Sequence, residues 1–522
     1  MSPSVVDPAA TGKRESSWLL GTGLIVALIA SIKLLVHAYA SGNYGYFIDE
    51  LYYLACSKHL DFGYVDQPPL IALVTALERI VLGESLRAIR FLPVLSGVSL
   101  ILLTGRFARE LGAGRFGQGL AALAILLAPG FLATDNFLSM NAFEPLFWVG
   151  CAYVYVRIVK TGNQKLWLWF GVIAGVGLQN KHSMLIFAFG LIAGLVLAGQ
   201  WRLLRRPWIW AGGLVAFLIF LPNLIWNIQH HFPFLELQAN IRRNGRNVDL
   251  TPAAFLAQQV LTMLPFSAPI WLGGLWFYFF RDEGKGFRAV GWAFAIACAV
   301  ILILNPRVYY LWPAFPVLFA AGGVMWETWL RDPRIRWVRF AYPALMILVG
   351  VALAPVAVPV LPVETYIRYE AALHLRPPAI ERWKLGPLPQ LYADQFGWEE
   401  MAAAVSRAYY SLPPGVRART AIFGGNYGQA GAIDLFGPKY GLPKAISGHQ
   451  CYFYWGPREY TGESIIFMGT NQRRVDAMCA SSQKVGRVDH PYSMPFEHFD
   501  LFYCSGLKWP LKEYWPKMKT WD

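Results

Sequence analysis

The chain has 522 residues, of which 56% are hydrophobic and only 15% are charged, whereas a soluble globular protein carries about 25% charged residues. This balance excludes a soluble enzyme and a disordered protein, and it predicts a membrane protein with several spans. The net charge of +14 does not indicate a nucleic-acid partner, because the basic residues lie in short clusters between apolar segments, a pattern typical of membrane topology.

Eleven apolar segments approach the length of about 20 residues that a membrane-spanning helix needs. They predict a polytopic α-helical membrane protein of about eleven helices, in which the region near 166–200 could instead form re-entrant segments. The predicted spans are 18–40, 90–106, 117–133, 142–158, 166–180, 183–200, 208–226, 256–280, 289–304, 309–327 and 340–360.

The loop charges predict the orientation of these spans. If residues 1–17 form a cytoplasmic tail, alternate loops on that side carry roughly twice as many Lys and Arg as those on the other side, as the positive-inside rule requires. An odd number of spans then places residues 361–522 outside the cell membrane of a bacterium. Short apolar runs at 421–424 and 464–469 predict buried strands, so this region is expected to be a soluble α/β domain.

The first outer loop, about 41–89, begins with two adjacent carboxylates, Asp49 and Glu50, among aromatic residues. They could simply be solvated acids at a helix N-terminus, where the helix dipole favours them. Alternatively, one of them could serve as a general base at the membrane surface. Pro68 and Pro69 then start an amphipathic stretch over 70–82 that can lie in the interface plane.

From Asp49 to Gly97 the sequence resembles the first outer loop of bacterial family 39 glycosyltransferases. This family belongs to the C-type superfamily, which includes aminoarabinose transferases and protein O-mannosyltransferases. Its Asp-Glu pair, its Pro-Pro motif and its Arg-Leu/Phe-Pro element have counterparts here at 49–50, 66–69 and 90–93. Weaker matches follow at 178–183, 221–227, 307–313, 425–432 and 447–457, so the resemblance covers nearly the whole chain.

The resemblance implies a transmembrane glycosyltransferase domain over 18–360 with the C-type fold. It also implies inverting transfer of a sugar from a polyprenyl-phosphate donor to a glycolipid, a cell-envelope glycan or a protein on the outer face. Asp49 would be the base, with Glu50 beside it. The family often carries an Asp near the position of Asn141, so Glu144 or Asp135 could replace it.

Cations must neutralise the lipid phosphate as it leaves. The outward-facing candidates are Lys181, Arg307, Arg90 and the cluster of Arg242, Arg243 and Arg246, although that cluster could instead bind anionic head groups. Further candidates for substrate binding are Tyr46, Asp66, Gln67, Asp135, Asn141, Tyr309 and Tyr310.

The sequence shows no nucleotide-binding glycine pattern and no strong metal motif, so no cofactor is expected to be required. A divalent metal ion stays an alternative, with His59, Asp61, Asp66, His230 and His231 as the nearest residues. Among Cys451, Cys479 and Cys504 one disulfide is possible and its pairing is open. The expected protein is a monomer whose partners are the donor, membrane lipid and an unknown acceptor.

A transporter or flippase of lipid-linked substrates is the rival hypothesis. Such a protein should show paired repeats and broken spans in two corresponding halves, and the sequence shows neither.

Overall fold

The computed structural model describes residues 22–304, 307–377 and 381–522. The predicted tail 1–17 and the first residues of the predicted span 18–40 lie outside this part. The N-terminal two thirds are helical and comprise α1 (Thr22–Ala40), α2 (Ile48–Cys56), α3 (Leu70–Leu82), α4 (Leu86–Ile89), α5 (Phe91–Glu110), α6 (Arg115–Leu127), α7 (Pro129–Thr134), α8 (Met140–Thr161), α9 (Leu166–Asn180), α10 (Met184–Leu197), α11 (Pro207–Gln229), α12 (Pro233–Arg243), α13 (Pro252–Thr262), α14 (Ala268–Phe280), α15 (Arg288–Leu304), α16 (Phe315–Trp329) and α17 (Val338–Ala357).

Within the residues that the structure describes, seven helical segments are long and apolar enough to cross a bilayer, or eight if the bent pair at 252–280 is counted as one span. Three shorter apolar helices, α6, α9 and α10, account for the remaining predicted segments. A polytopic helical membrane architecture is therefore confirmed, with an apolar helix at every predicted position. The amphipathic stretch at 70–82 forms the separate helix α3, whose exposed face carries Leu73, Leu77 and Ile80.

The segment predicted as one continuous span over 256–280 is broken, and its two helices meet at an angle of 92°. The break has a local cause. Pro265 has no backbone N–H to continue the helix, and Leu264 before it has a positive φ of 70°, which non-glycine residues rarely adopt.

Close helix contacts depend on small residues. A side chain on Gly171 in α9 would collide with the backbone carbonyl of Gly212 in α11. The backbones of the short helix α9 and the longer helix α11 can therefore approach each other directly, in the way that small residues permit between membrane helices.

The C-terminal region contains α18 (Val363–Leu373), α19 (Gln390–Ala393), α20 (Trp398–Tyr410), α21 (Pro414–Arg417), β1 (Thr420–Phe423), α22 (Tyr427–Phe436), α23 (Cys451–Trp455), β2 (Ser464–Phe467), α24 (Gln472–Met478), β3 (Cys479–Val488), β4 (Phe499–Leu507) and α25 (Leu511–Tyr514). Its strands form one sheet in the order β1-β2-β4-β3. The β1–β2 pair is parallel, and β4 runs antiparallel to both of its neighbours. The predicted strands at 421–424 and 464–469 correspond to β1 and β2.

A disulfide joins Cys479 to Cys504 across β3 and β4, whereas Cys451 is a free, buried thiol. The structure therefore supplies the pairing that the sequence left open.

The first outer loop and the C-terminal region share one hydrophobic core. Leu51 and Leu54 of α2 are buried together with Trp398, Ile433 and Ile466 of the C-terminal region. Helix α2, which carries the two acidic residues singled out above, is therefore held between the membrane helices and the sheet region.

Candidate functional site

Glu50 and Arg90 form a fully buried ion pair at the start of α2. Both oxygens of Glu50 accept hydrogen bonds of 2.8 Å from the Arg90 guanidinium. The same oxygens accept the backbone N–H groups of Leu138 and Phe47, each at 2.8 Å. Arg90 also donates to the carbonyl of Gly45. The pair joins three outer segments, and Arg90, with no exposed side-chain surface, is not placed to bind a phosphate.

Asp49 has a different environment. It is partly buried, and its Oδ1 accepts a hydrogen bond of 2.7 Å from the hydroxyl of Tyr427 in the C-terminal region. Burial raises the pKa of Asp49, while the Tyr427 hydrogen bond and the charges of Arg307 and Arg246 oppose this shift. Asp49 is therefore a carboxylate of increased basicity that faces cations, which suits a general base.

Asp66 is the second carboxylate of this site, and its Oδ1 accepts a hydrogen bond of 3.0 Å from Tyr52. The rings of Tyr52 and Tyr427 contact each other with centroids 4.8 Å apart. Burial, together with the charge of Asp49, raises the pKa of Asp66 to about 7, although the Tyr52 hydrogen bond opposes the shift. Two tyrosines in contact thus each bind one of two neighbouring carboxylates.

Lys181 lies at the break between the short helices α9 and α10, where its backbone is extended. Its Nζ lies 2.8 Å from Glu144 Oε2 and 2.8 Å from Asn141 Oδ1. The other oxygen of Glu144 accepts a hydrogen bond from Ser183. Burial would lower the pKa of Lys181, but the Glu144 carboxylate together with Tyr310 and Tyr309 outweighs it and raises that pKa. The ammonium therefore stays charged.

The aromatic pair Tyr309 and Tyr310 connects Lys181 to Arg307. The two rings are stacked with centroids 5.1 Å apart, and Lys181 Nζ lies 4.2 Å from the Tyr310 centroid. The guanidinium of Arg307 donates to the Tyr309 hydroxyl at 3.4 Å. Two predicted phosphate ligands from distant parts of the chain are therefore brought to one place.

Glu381 links Arg307 to a further cation, Arg246. It forms ion pairs with both guanidinium groups, at 3.0 Å in the case of Arg246. Burial would raise the pKa of Glu381, but the charges of Arg307 and Arg246 outweigh it and lower that pKa. Both arginine side chains keep 24% of their surface exposed, so they retain access to an anionic ligand.

The remaining predicted residues are spread around this centre. Asp135 is buried and pairs with Lys33 of α1 at 2.5 Å, so it forms a separate cluster from Lys181. Tyr46 donates to the carbonyl of Glu84. Gln67 is buried, whereas Arg243 is exposed at the end of α12.

Three residues of these clusters were not selected from the sequence: Tyr427, Glu381 and Lys33. Lys33 carried a usable signal, because a charged residue inside an apolar span is a functional candidate by default. Arg246 belongs to the basic cluster that was predicted from the sequence as a phosphate-binding candidate. Tyr427 and Glu381 belong to the C-terminal region, and nothing local marks them as partners of Asp49 and Arg307.

The histidines considered for a metal ion are engaged with aromatic rings. His59 stacks on Trp455, and His230 stacks on Trp226. Within the ranges that the structure describes, no group of three or more His, Cys, Asp and Glu residues could hold a metal ion.

Comparisons with known proteins find relatives among glycosyltransferases. A sequence model of the dolichyl-phosphate-mannose-protein mannosyltransferase family matches residues 66–226. The lipid A galacturonosyltransferase RgtD of Rhizobium johnstonii is 27% identical over 307 residues, which represent 55% of this chain and 62% of that protein. The match thus spans less than two thirds of that relative.

Two crystal structures of ArnT from Cupriavidus metallidurans share the fold, one bound to undecaprenyl phosphate and one in the apo state. Each superposes with a TM-score of 0.58 at 15% identity. The matches cover 92% and 94% of this chain, and 97% and 98% of those chains. The resemblance inferred from the sequence is confirmed: the chain has the C-type glycosyltransferase fold and is similar to membrane glycosyltransferases.

Proposed function

We propose that the protein is an inverting membrane glycosyltransferase that moves a sugar from a polyprenyl-phosphate sugar to an acceptor on the outer face of a bacterial inner membrane. One observation carries the proposal. Lys181 and Arg307 meet at the Tyr309–Tyr310 pair, and the charge of Arg307 acts on Asp49. Phosphate-binding cations and a candidate base thus occupy a single site.

The arrangement suits a displacement at the anomeric carbon. An acceptor hydroxyl attacks this carbon, the bond from the carbon to the phosphate oxygen breaks, and the hydroxyl proton passes to Asp49. Polyprenyl phosphate leaves with the electron pair of the broken bond and so gains one negative charge beyond that of the donor phosphodiester. Fixed cations that face this developing charge stabilise the transition state, and Lys181 and Arg307 supply them without having to move into place. Glu144 holds Lys181 in position.

For the acceptor, we propose a glycolipid of the lipid A type, because the curated relative is named for that substrate. The exposed Arg242 and Arg243 lie in the last turn of the amphipathic helix α12, whose apolar residue Leu235 is also exposed. Basic residues beside exposed apolar surface favour anionic lipid head groups, and lipid A carries phosphates.

The test is transfer of labelled sugar from a polyprenyl-phosphate donor to lipid A by the purified protein. Lys181→Ala and Arg307→Ala should each weaken donor use about 10- to 150-fold, because one charge-assisted contact to a phosphate contributes about 1.5–3 kcal/mol. The matched control is Arg206→Ala, which removes an exposed arginine immediately before the N-terminus of α11, on the predicted cytoplasmic side.

Thermal stability of each variant must be measured alongside, because Lys181→Ala leaves Glu144 without its cation. Arg307→Ala is cleaner, since Glu381 keeps Arg246. Equal donor use by all three variants would remove Lys181 and Arg307 from the donor site. Absence of transfer by the wild-type protein to lipid A, to other glycolipids and to protein acceptors would contradict the proposed function.

A further inference from the structure

The C-terminal region places one side chain directly on the candidate base. Tyr427 is the first residue of α22, and its hydroxyl donates to Oδ1 of Asp49 at 2.7 Å. Within the described residues, Oδ2 of Asp49 accepts no hydrogen bond from the protein, so this oxygen is left for a proton from the acceptor. Tyr427 therefore fixes which oxygen is available and the direction in which it points.

The sequence around Tyr427 is built to bring α22 onto α2. Asn426 caps the helix by accepting the N–H of Gln429 at 2.8 Å. A Cβ on Gly431 would lie 2.9 Å from the Cβ of Leu51, and one on Gly428 would collide with Ile48. Only a residue without a side chain permits such an approach at both positions, and Tyr427 thereby reaches Asp49.

The Tyr427 ring contacts two other rings. The ring of His449 lies 5.0 Å away by centroids, and that of Tyr52 lies 4.8 Å away. His449 Nδ1 accepts the backbone N–H of Tyr427 at 3.2 Å, and its Nε2 lies 3.2 Å from Asp522 Oδ1. Since Nδ1 accepts a hydrogen bond, the imidazole proton is on Nε2 and points to Asp522. Burial lowers the pKa of His449, which agrees with a neutral ring.

We propose that Tyr427 is a positioning residue for the base Asp49, and that His449 and Asp522 hold Tyr427 in place. The proposal rests on the proposed function and deepens it, because it makes the C-terminal region a part of the active site. Residues 41–89 and the membrane helices would supply the base and the phosphate ligands, and the C-terminal region would set the proton affinity and orientation of the base.

The hydroxyl has a defined chemical effect. A hydrogen bond donated to a carboxylate stabilises its charged form, so the Tyr427 hydroxyl lowers the pKa of Asp49 against the effect of burial. Removing it should raise that pKa. The other charged and titratable groups near Asp49 stay unchanged in such a variant; they are Arg307, Arg246, Glu381, Asp66, Tyr53 and Asp394.

The decisive variant is Tyr427→Phe, which keeps the ring and removes only the hydroxyl. The acidic limb of the kcat/KM profile should move to higher pH by about 1–2 units, and the rate should recover toward the wild-type value above the new limb. Recovery at high pH separates a positioning role from loss of fold, because an unfolded enzyme does not regain activity when the pH rises. Asp522→Ala, which removes the side chain that accepts from His449 Nε2, should move the limb in the same direction by less.

Tyr452→Phe is the matched control. Tyr452 is also a buried tyrosine that donates to a carboxylate, Asp434, at 3.0 Å. Its variant loses the same chemical group but should leave the limb in place.

A second readout does not depend on transfer. The carboxyl infrared band that disappears in Asp49→Asn belongs to Asp49, and its titration gives the pKa of Asp49 directly. This pKa should be higher in Tyr427→Phe than in the wild-type protein. An unchanged band titration, or an unchanged limb in an active and stable variant, would overturn the inference. If the wild-type protein shows no transfer but the Asp49 band of Tyr427→Phe titrates at a higher pH, only the proposed function would be refuted.

Discussion

Glu50→Gln should destabilise the protein strongly, even though it changes a single atom. The Glu50 carboxylate accepts four hydrogen bonds of 2.8 Å, two from Arg90 and two from backbone N–H groups. The amide of a glutamine has one oxygen and one NH2 group. Each Glu50 oxygen accepts from one Arg90 nitrogen and one backbone N–H group, so the NH2 group would face two donors at either position. Two of the four hydrogen bonds would be lost, and the NH2 group would itself be a donor pointing at these two donors.

The charge adds to this loss. Neither Glu50 nor Arg90 has exposed side-chain surface, so the variant leaves a guanidinium buried without its counter-ion. Breaking a buried pair by removing one partner costs about 3–5 kcal/mol. The pair Lys58–Glu84, at 2.9 Å with 29% and 36% of the two side chains exposed, is the matched control. Glu84→Gln should cost no more than about 1 kcal/mol.

The measurement is unfolding of both variants in the same detergent, followed by tryptophan fluorescence and by activity after recovery at low temperature. Replacing both members, in Glu50→Leu with Arg90→Met, removes the unpaired charge and should restore part of the lost stability. A Glu50→Gln variant as stable as Glu84→Gln would refute the view that this pair holds the outer segments together. It would return Glu50 to the candidates for the base.

Asp49→Asn should lower turnover by roughly 10²–10⁴-fold at wild-type stability, and sugar transfer by the variant at near-wild-type rates would remove Asp49 as the base. The wild-type rate should fall as the pH falls through the raised pKa of Asp49, because only the deprotonated carboxylate accepts a proton; a kcat/KM profile whose acidic limb lies at the ordinary carboxyl pKa would contradict this. A topology reporter fused after residue 365 should indicate an extracytoplasmic location and one within 201–206 a cytoplasmic location, and the opposite result at 365 would put the orientation of the Asp49 loop in doubt.

The membrane architecture could be predicted from the sequence because an apolar segment of sufficient length is a strong local signal. The bend between α13 and α14 was missed, although Pro265 marks it in the sequence. Its neighbour Leu264 has a positive φ. A positive φ cannot be predicted from the sequence at a residue that is not glycine. The strands β3 and β4 were not predicted one by one, since their burial depends on the sheet they join.

The candidate site shows a sharper limit. From the sequence, Arg90 and Arg307 are equivalent: both are basic residues at the outer end of an apolar segment. The structure separates them by burial and partners. Arg90 donates all its contacts to Glu50 and backbone carbonyls, whereas Arg307 keeps part of its surface exposed beside Tyr309. This difference arises because different distant segments pack against the two arginines. The local sequence pattern around each arginine does not predict these contacts.

Distant contacts also separate the two acidic residues, Glu144 and Asp135, that could replace the Asp expected near Asn141. Asn141 and Glu144 lie three residues apart on one helical face, and Lys181 contacts both of them. Asp135 precedes the helix and turns to Lys33 of α1 instead. A carboxylate one turn away can therefore take over as the partner of Lys181, because the ammonium reaches both positions. Lys181 would then have the same place in the site as in the family, and its acidic partner would be Glu144 instead of an Asp at position 141.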